Sequence, residues 1–210
     1  LGDYIDRKTQ FQKTFFDQPK AVAIAKYKRR IDNYLGVQPD SAYDHIADLH
    51  DLGYLPIKIK ALKEGTRVNI KVPPITMEST MGQKYVWLVG YLETLFSTTV
   101  WGPCTSATTA FEFRKMLDKF AMETVGNTDF VPYQGHDFSM RGMFGLEAAE
   151  MSGAGHLLSF VGSDTIPAID FLEQWYGADS DKELIACSVA ATEHSVMCLG
   201  QVDGEIDTFE

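Results

Sequence analysis

Apolar residues recur at Ile24, Tyr27, Ile31 and Leu35, close to the i, i+3/i+4, i+7 spacing that predicts a one-sided helix over residues 19–35. Lys26, Lys28, Arg29 and Arg30 make the same stretch basic, which reads as a solvated face, or else as a contact for an anionic ligand or a subunit. Asp40 and Ser41 can cap a second short helix with Tyr43, Ile46 and Ala47 turned inward. At Gly53 the period changes to two. Leu55, Ile57 and Ile59 alternate with Pro56, Lys58 and Lys60, the pattern of a half-buried strand. Lys63-Glu64-Gly65 reads as a turn, after which Val68, Ile70 and Val72 repeat the alternation as a second strand. Pro73-Pro74 ends it, because proline has no N–H for the ladder, and Ile75 and Met77 suggest a short third strand.

Helical spacing returns with Leu88, Tyr91, Leu92 and Leu95. A longer helix is predicted next, begun by Thr105 or Ser106, with Phe113, Met116, Leu117 and Phe120 on one face and Gly126-Asn127 as its stop. From about residue 128 the expected order is a strand over Val131–Phe138, a helix over Phe144–Met151 and a strand over Leu157–Val161. A helix over residues 166–176, started by Asp164-Thr165 with Pro167 in its first turn, and a strand over Leu184–Val189 complete it. That β-α-β-α-β order is the grammar of a parallel sheet or barrel, an α/β fold. Such folds place active residues where strands end, so Asp137–Arg141, Gly162–Thr165 and Ser188–Ser195 carry the candidate chemistry.

Composition narrows the classes. The 210 residues carry 19 Lys+Arg against 29 Asp+Glu, a formal net charge of −10, which disfavours nucleic acid as the main partner because phosphate binding needs a basic face. Apolar residues at 45% are too many for a disordered chain. No run approaches the about 18 consecutive apolar residues of a membrane span. Three widely spaced cysteines (Cys104, Cys187 and Cys198) fit a reducing compartment better than a disulfide framework, so a cytoplasmic location is expected. Cys187, His194 and Cys198 match no zinc spacing and lack a fourth ligand. Neither a Walker loop nor a Gly-x-Gly-x-x-Gly fingerprint is present, which weakens kinase and dehydrogenase readings. The chain opens on Leu1 rather than Met and reads like a piece of a longer one.

The three strand-end segments are His136-Asp137-Phe138-Ser139-Met140-Arg141-Gly142, Val161-Gly162-Ser163-Asp164-Thr165 and Ser188-Val189-Ala190-Ala191-Thr192-Glu193-His194-Ser195. In this order they resemble the nicotinamide phosphoribosyltransferase family. The stretch from Gly53 to Gly65, Leu92-Glu93-Thr94-Leu95 and Glu123-Thr124-Val125-Gly126-Asn127 resemble it too, so that the likeness covers most of residues 50–210. The resemblance implies the type II phosphoribosyltransferase fold. Residues 1–127 would be a mixed helical and β N-terminal domain, and residues 128–210 the first βα units of an incomplete α/β barrel. It also implies a central fragment of a homodimeric enzyme with a shared active site. The activity implied is transfer of phosphoribosyl from phosphoribosyl pyrophosphate to nicotinamide, giving nicotinamide mononucleotide and pyrophosphate in NAD salvage. Magnesium would act through the pyrophosphate, with its ligands outside this chain, and ATP would be an activator. A nicotinate or other pyridine phosphoribosyltransferase, or a non-catalytic ring-binding module, is the alternative.

Each site residue carries an implied role beside an ordinary one. Phe138 would stack on the nicotinamide ring; otherwise it is core packing. Arg141 would fork onto phosphate or pyrophosphate oxygens; otherwise it is a surface ion pair. Asp164 would accept from the carboxamide N–H₂ while repelling the carboxylate of nicotinate; otherwise it caps a helix. His194, beside Glu193, would lie near the pyrophosphate at a phosphohistidine-forming position, and is otherwise a satisfied loop residue. Asp164 and His194 are thus the expected catalytic pair. Tyr133, Ser188 and Ala191 would line the nicotinamide pocket and its tunnel. Met140 stands where many relatives carry tyrosine, so any hydrogen bond from that hydroxyl is absent.

Overall fold

The structure is a computed structural model that describes residue 7, residues 9–200 and residues 204 and 206. It is a mixture of helices and two small sheets, divided into two compact units, Leu1–Leu95 and Phe96–Glu210. No helix among the described residues is long and apolar enough to cross a membrane.

In the first unit, α1 (Lys20–Leu35) and α2 (Asp44–Leu52) stand where the apolar spacing predicted helices, α2 being preceded by a single 3₁₀ turn at Asp40–Tyr43. The buried face of α1 is narrower than its spacing implies: Ala23 is buried, whereas Leu35 is 62% exposed. Tyr43, Ile46 and Leu49 are buried as a one-sided helix requires. Gly53 ends α2 at φ 77°, a left-handed position that only glycine holds cheaply, and its N–H returns to the His50 carbonyl at 3.1 Å. The strand predicted from Ile57 and Ile59 is β1 (Ile57–Ala61). It pairs antiparallel with β2 (Ile75–Ser79), with Ile57 opposite Ser79. The strand expected over Val68–Val72 does not form. Ile70 is 89% exposed and Lys71 sits at φ 70°, so these alternating residues have no surface to cover and lie in the loop between the paired strands.

The two helices expected around residues 88–95 and 105–125 are one, α3 (Val86–Thr124), which continues through Pro103. Thr105 does not begin a helix. Its hydroxyl bonds back to the Trp101 carbonyl at 2.8 Å, as that of Thr108 does to Cys104 at 2.7 Å, so both lie inside the helical ladder. Leu49, Tyr85 and Leu88 form the core of the first unit, with Phe15, Phe16, Leu55, Ile57 and Leu92 against it. In the second unit the working face of α3 is Ala110, Leu117 and Ala121, which packs with Phe130, Val131 and Phe160. Phe113, Met116 and Phe120 stay more than half exposed, contrary to the predicted inward stripe. Gly126, at φ 82°, stops the helix where expected, and its N–H reaches the Ala121 carbonyl at 3.0 Å.

The strands of the second unit are shorter than predicted and displaced. Val131–Tyr133 is a 3₁₀ turn that contains Pro132, and only His136–Asp137 is strand β3. The next helix, α4 (Leu146–His156), starts later than expected, after Gly145 at φ 147°, and leaves Phe144 outside it and 98% exposed. Residues 157–161 are not a strand: the turn that ends α4 uses them, and β4 is Gly162–Ser163. Helix α5 (Pro167–Tyr176) keeps proline in its first turn. The last expected strand, Leu184–Val189, reduces to one parallel bridge between Gly162 and Cys187, and α6 (His194–Leu199) follows it. β3 and β4 are parallel, with His136 opposite Gly162 and Asp137 opposite Ser163. The three segments therefore lie side by side in chain order, with β4 in the middle.

Candidate functional site

Three chain segments end together at this small parallel sheet, and the side chains just past their ends meet. The Asp164 N–H donates to the Asp137 carbonyl at 2.9 Å, which sets the backbone of one segment against the next. The Asp164 carboxylate then accepts twice on the same oxygen, Oδ1: from His136 Nε2 at 2.8 Å and from the Ser188 hydroxyl at 2.9 Å. These bonds, that of His136 first and that of Ser188 second, hold the carboxyl below its ordinary range. Asp164 caps no helix. Ile166 occupies the position before α5 without a side-chain cap, so the ordinary role considered for this aspartate is not the one it fills.

Phe138 lies one residue past β3 and is 66% exposed, so it takes no part in the core of the described residues. Its ring stacks on His136 with centroids 4.5 Å apart and planes inclined by 29°. One imidazole thus touches both the aromatic plate and the carboxylate. It fits there because its partner in the ladder is Gly162: a Cβ at that position would stand 2.9 Å from His136 Nδ1 and 2.5 Å from the Gly135 carbonyl oxygen. Asp137 is buried and its Oδ1 accepts from the Ser139 N–H at 2.9 Å, which starts the 3₁₀ turn Ser139–Gly142 that carries Met140 and Arg141.

Arg141 is exposed, and its charge reaches Glu193. Glu193 caps α6 by accepting from the Ser195 N–H at 2.7 Å and from the Ser195 hydroxyl. Those bonds, the hydroxyl's first, hold Glu193 below its usual range, and Arg141 adds to the effect. His194, the first residue of α6, is exposed, with Nε2 3.7 Å from the Cys198 sulfur. Tyr133 is 53% exposed at the end of the turn before β3, and Ala191 lies on the exposed stretch before α6. The structure therefore brings Phe138, Asp164 and Ser188 into one cluster and sets Arg141 by electrostatics beside the Glu193-His194 pair. His136 has no role in the sequence-based expectation, although it opens the first strand-end segment. Its signal is a titratable side chain at the end of a strand.

This arrangement offers a flat apolar surface at Phe138, a half-exposed acceptor at Asp164 joined to it through His136, and an exposed cation, Arg141, on the turn that follows Phe138. Among the described residues no three His, Cys, Asp or Glu side chains converge to hold a metal ion.

Residues 133–210, which contain every candidate above, match the model of the Nicotinate phosphoribosyltransferase (NAPRTase) family. Over 195 residues the chain is 49% identical to a nicotinamide phosphoribosyltransferase of Acinetobacter baylyi, covering 93% of this chain and 38% of that protein. A protein of the same name from Mycoplasma pneumoniae is 37% identical over 156 residues (74% of this chain and 32% of that one). Another from Xanthomonas campestris pv. campestris is 33% identical over 158 residues, again 32% of its length. The chain thus spans about a third of the length of these curated relatives.

Proposed function

We propose that the protein to which this chain contributes is a nicotinamide phosphoribosyltransferase of NAD salvage, and that the chain is a central part of it. The ring nitrogen of nicotinamide attacks C1 of phosphoribosyl pyrophosphate, the bond from C1 to the pyrophosphate oxygen breaks, and nicotinamide mononucleotide and pyrophosphate result. Positive charge gathers on the sugar and negative charge on the leaving group in the transition state. The site therefore needs a clamp for the ring, an acceptor for the amide and cationic donors for phosphate. Phe138 is the clamp and Asp164 the acceptor. Arg141 serves the phosphates, His194 lies on the pyrophosphate side, and Tyr133, Ser188 and Ala191 line the ring's approach.

The observation that carries this reading is Asp164 itself, ionised and half exposed beside the Phe138 ring rather than used as a helix cap. An ionised carboxylate accepts from a carboxamide and repels a carboxylate. The match to a family named for nicotinate favours a nicotinate phosphoribosyltransferase as the second reading. A further ring-binding module without turnover would share the clamp but not the transfer. Within the lead reading, residues 1–127 are an N-terminal domain and residues 128–210 the opening βα units of a type II barrel. The enzyme works as a cytoplasmic homodimer with a shared site. Magnesium is bound through the pyrophosphate by residues outside this chain, and ATP activates. The test is pyrophosphate release by the full-length protein with phosphoribosyl pyrophosphate and either pyridine. Turnover of nicotinamide well above nicotinate is expected, and the reverse preference would favour the second reading. The 210-residue chain alone should release none.

A further inference from the structure

We propose that His136 is the positioning residue for pyridine selection: with Ser188 it fixes Oδ1 of Asp164 so that Oδ2 alone faces the substrate. The inference rests on the transferase reading above. A carboxylate can only accept, so the imidazole donates, and Nε2 of His136 carries the hydrogen at 2.8 Å. The Ser188 hydroxyl donates to the same oxygen at 2.9 Å, and the two donors come from different chain segments, 28 and 24 residues from Asp164. Two donors arriving from separate segments fill the lone pairs of Oδ1 and stop the carboxylate from turning. Oδ2 takes no hydrogen bond from a described side chain and belongs to a group whose side chain is 48% exposed. It is the acceptor left over for an amide N–H.

His136 is itself held. Its side chain is only 15% exposed, its ring lies against Phe138, and the space it fills exists because position 162 is glycine. The same imidazole therefore registers the aromatic plate against the acceptor. A ring stacked on Phe138 would find its amide at a fixed offset. Loss of the imidazole donor would leave the Asp164 carboxylate held by Ser188 alone, with more freedom to turn, which weakens recognition of the amide and has little effect on the transfer step.

The test uses two variants of the full-length protein. His136→Phe keeps a flat ring against Phe138 and removes the donor, while His136→Gln returns an N–H near the Nε2 position. The expected result is a fall of about fivefold or more in the ratio of kcat/KM for nicotinamide to that for nicotinate in His136→Phe, carried by KM, with the ratio largely restored in His136→Gln. A ratio that stays within about twofold of wild type, or equal losses on both pyridines, would overturn the proposal. A second measurement is the titration of Asp164 by carboxyl-detected NMR in the full-length protein. His136→Phe should move it upward, and no movement would overturn the positioning itself. The two failures are distinct: a wild-type protein that uses neither pyridine refutes the transferase reading and the selectivity role with it, whereas an unmoved Asp164 refutes the hydrogen bond whatever the enzyme does.

Discussion

Gly155 and Pro103 bring α4 and α3 into backbone contact: a Cβ on Gly155 would stand 2.6 Å from the Pro103 carbonyl oxygen and 3.2 Å from the Ala107 amide nitrogen. On the other side of α4, a Cβ on Gly153 would come within 2.8 Å of that of Ala168. The helix that joins β3 to β4 is therefore thin on two sides, and its glycines set the spacing of the elements that flank the site.

Gly155→Ala should accordingly destabilise the chain by about 1–3 kcal/mol, although alanine is the better helix former. The obstructing atoms are main chain and cannot rotate away. Gly142→Ala, where nothing lies within 4 Å, is the matched control and should leave the midpoint nearly unchanged. Thermal or urea unfolding of both variants measures the difference. Equal midpoints would mean that the helices part more easily than their contact implies.

In the full-length enzyme, Asp164→Asn should lower kcat/KM for nicotinamide by roughly ten- to hundredfold and spare nicotinate or improve it. On the proposed reading, the variant loses a charge that accepts from the amide and repels the acid. Phe138→Ala should weaken both pyridines alike, because stacking does not read the substituent. Steady-state kinetics on both substrates separates the two. Equal losses from Asp164→Asn would make that residue part of the scaffold.

Acid sensitivity of the first unit should trace to Asp32. The Tyr43 hydroxyl, first, and then the Gln38 N–H at 3.1 Å hold its carboxyl below the usual range. A carboxyl depressed in the folded state adds stability that is fully present above its unfolded value, about 3.9, and is lost as pH falls through the lower folded value. Tyr43→Phe removes the larger cause. The drop in urea midpoint between pH 7 and pH 2.5 should then be smaller in the variant than in wild type. An unchanged drop would assign the acid sensitivity to other carboxylates.

The core of the second unit rests on Val131, which has no exposed surface, packed with Ala110, Ala121 and Phe160. Val131→Ala should cost about 2 kcal/mol, seen as a lower unfolding midpoint. Leu158, 65% exposed, is the comparison site, and alanine there should change little.

The periodic stretches are readable where one face is buried, as in α2 with Ile46 and Leu49, and where a glycine must take a left-handed turn, as at Gly53 and Gly126; in α1 the spacing marks the helix but overstates its buried face. Alternation misled at Val68–Val72, since a period of two states only which side chains share a face and not that any surface awaits them. Thr105 marks no joint, because a hydroxyl that can cap a helix can equally bond back within one, as it does here to the Trp101 carbonyl. In the second unit the order of elements along the chain was legible, yet strand lengths were not: pairing of two residues leaves almost no periodicity. Phe138, Asp164 and Ser188 were visible as polar or aromatic residues at strand ends. His136 was hidden because its part depends on a glycine 26 positions away in the register, His136 facing Gly162.

The chain order of the three parallel segments also fixes a schedule. Each is brought to its neighbour by closing a loop of similar length, 28 residues from His136 to Asp164 and 24 from Asp164 to Ser188, so neither closure carries much more entropic cost than the other. During synthesis the imidazole bond can form as soon as β4 has emerged, but the hydroxyl bond must wait for Ser188. A ribosome paused between these points would display a carboxylate tethered on one side only. The doubly held carboxylate is thus among the last features of this region to form, and the order of the three segments along the chain sets when it does.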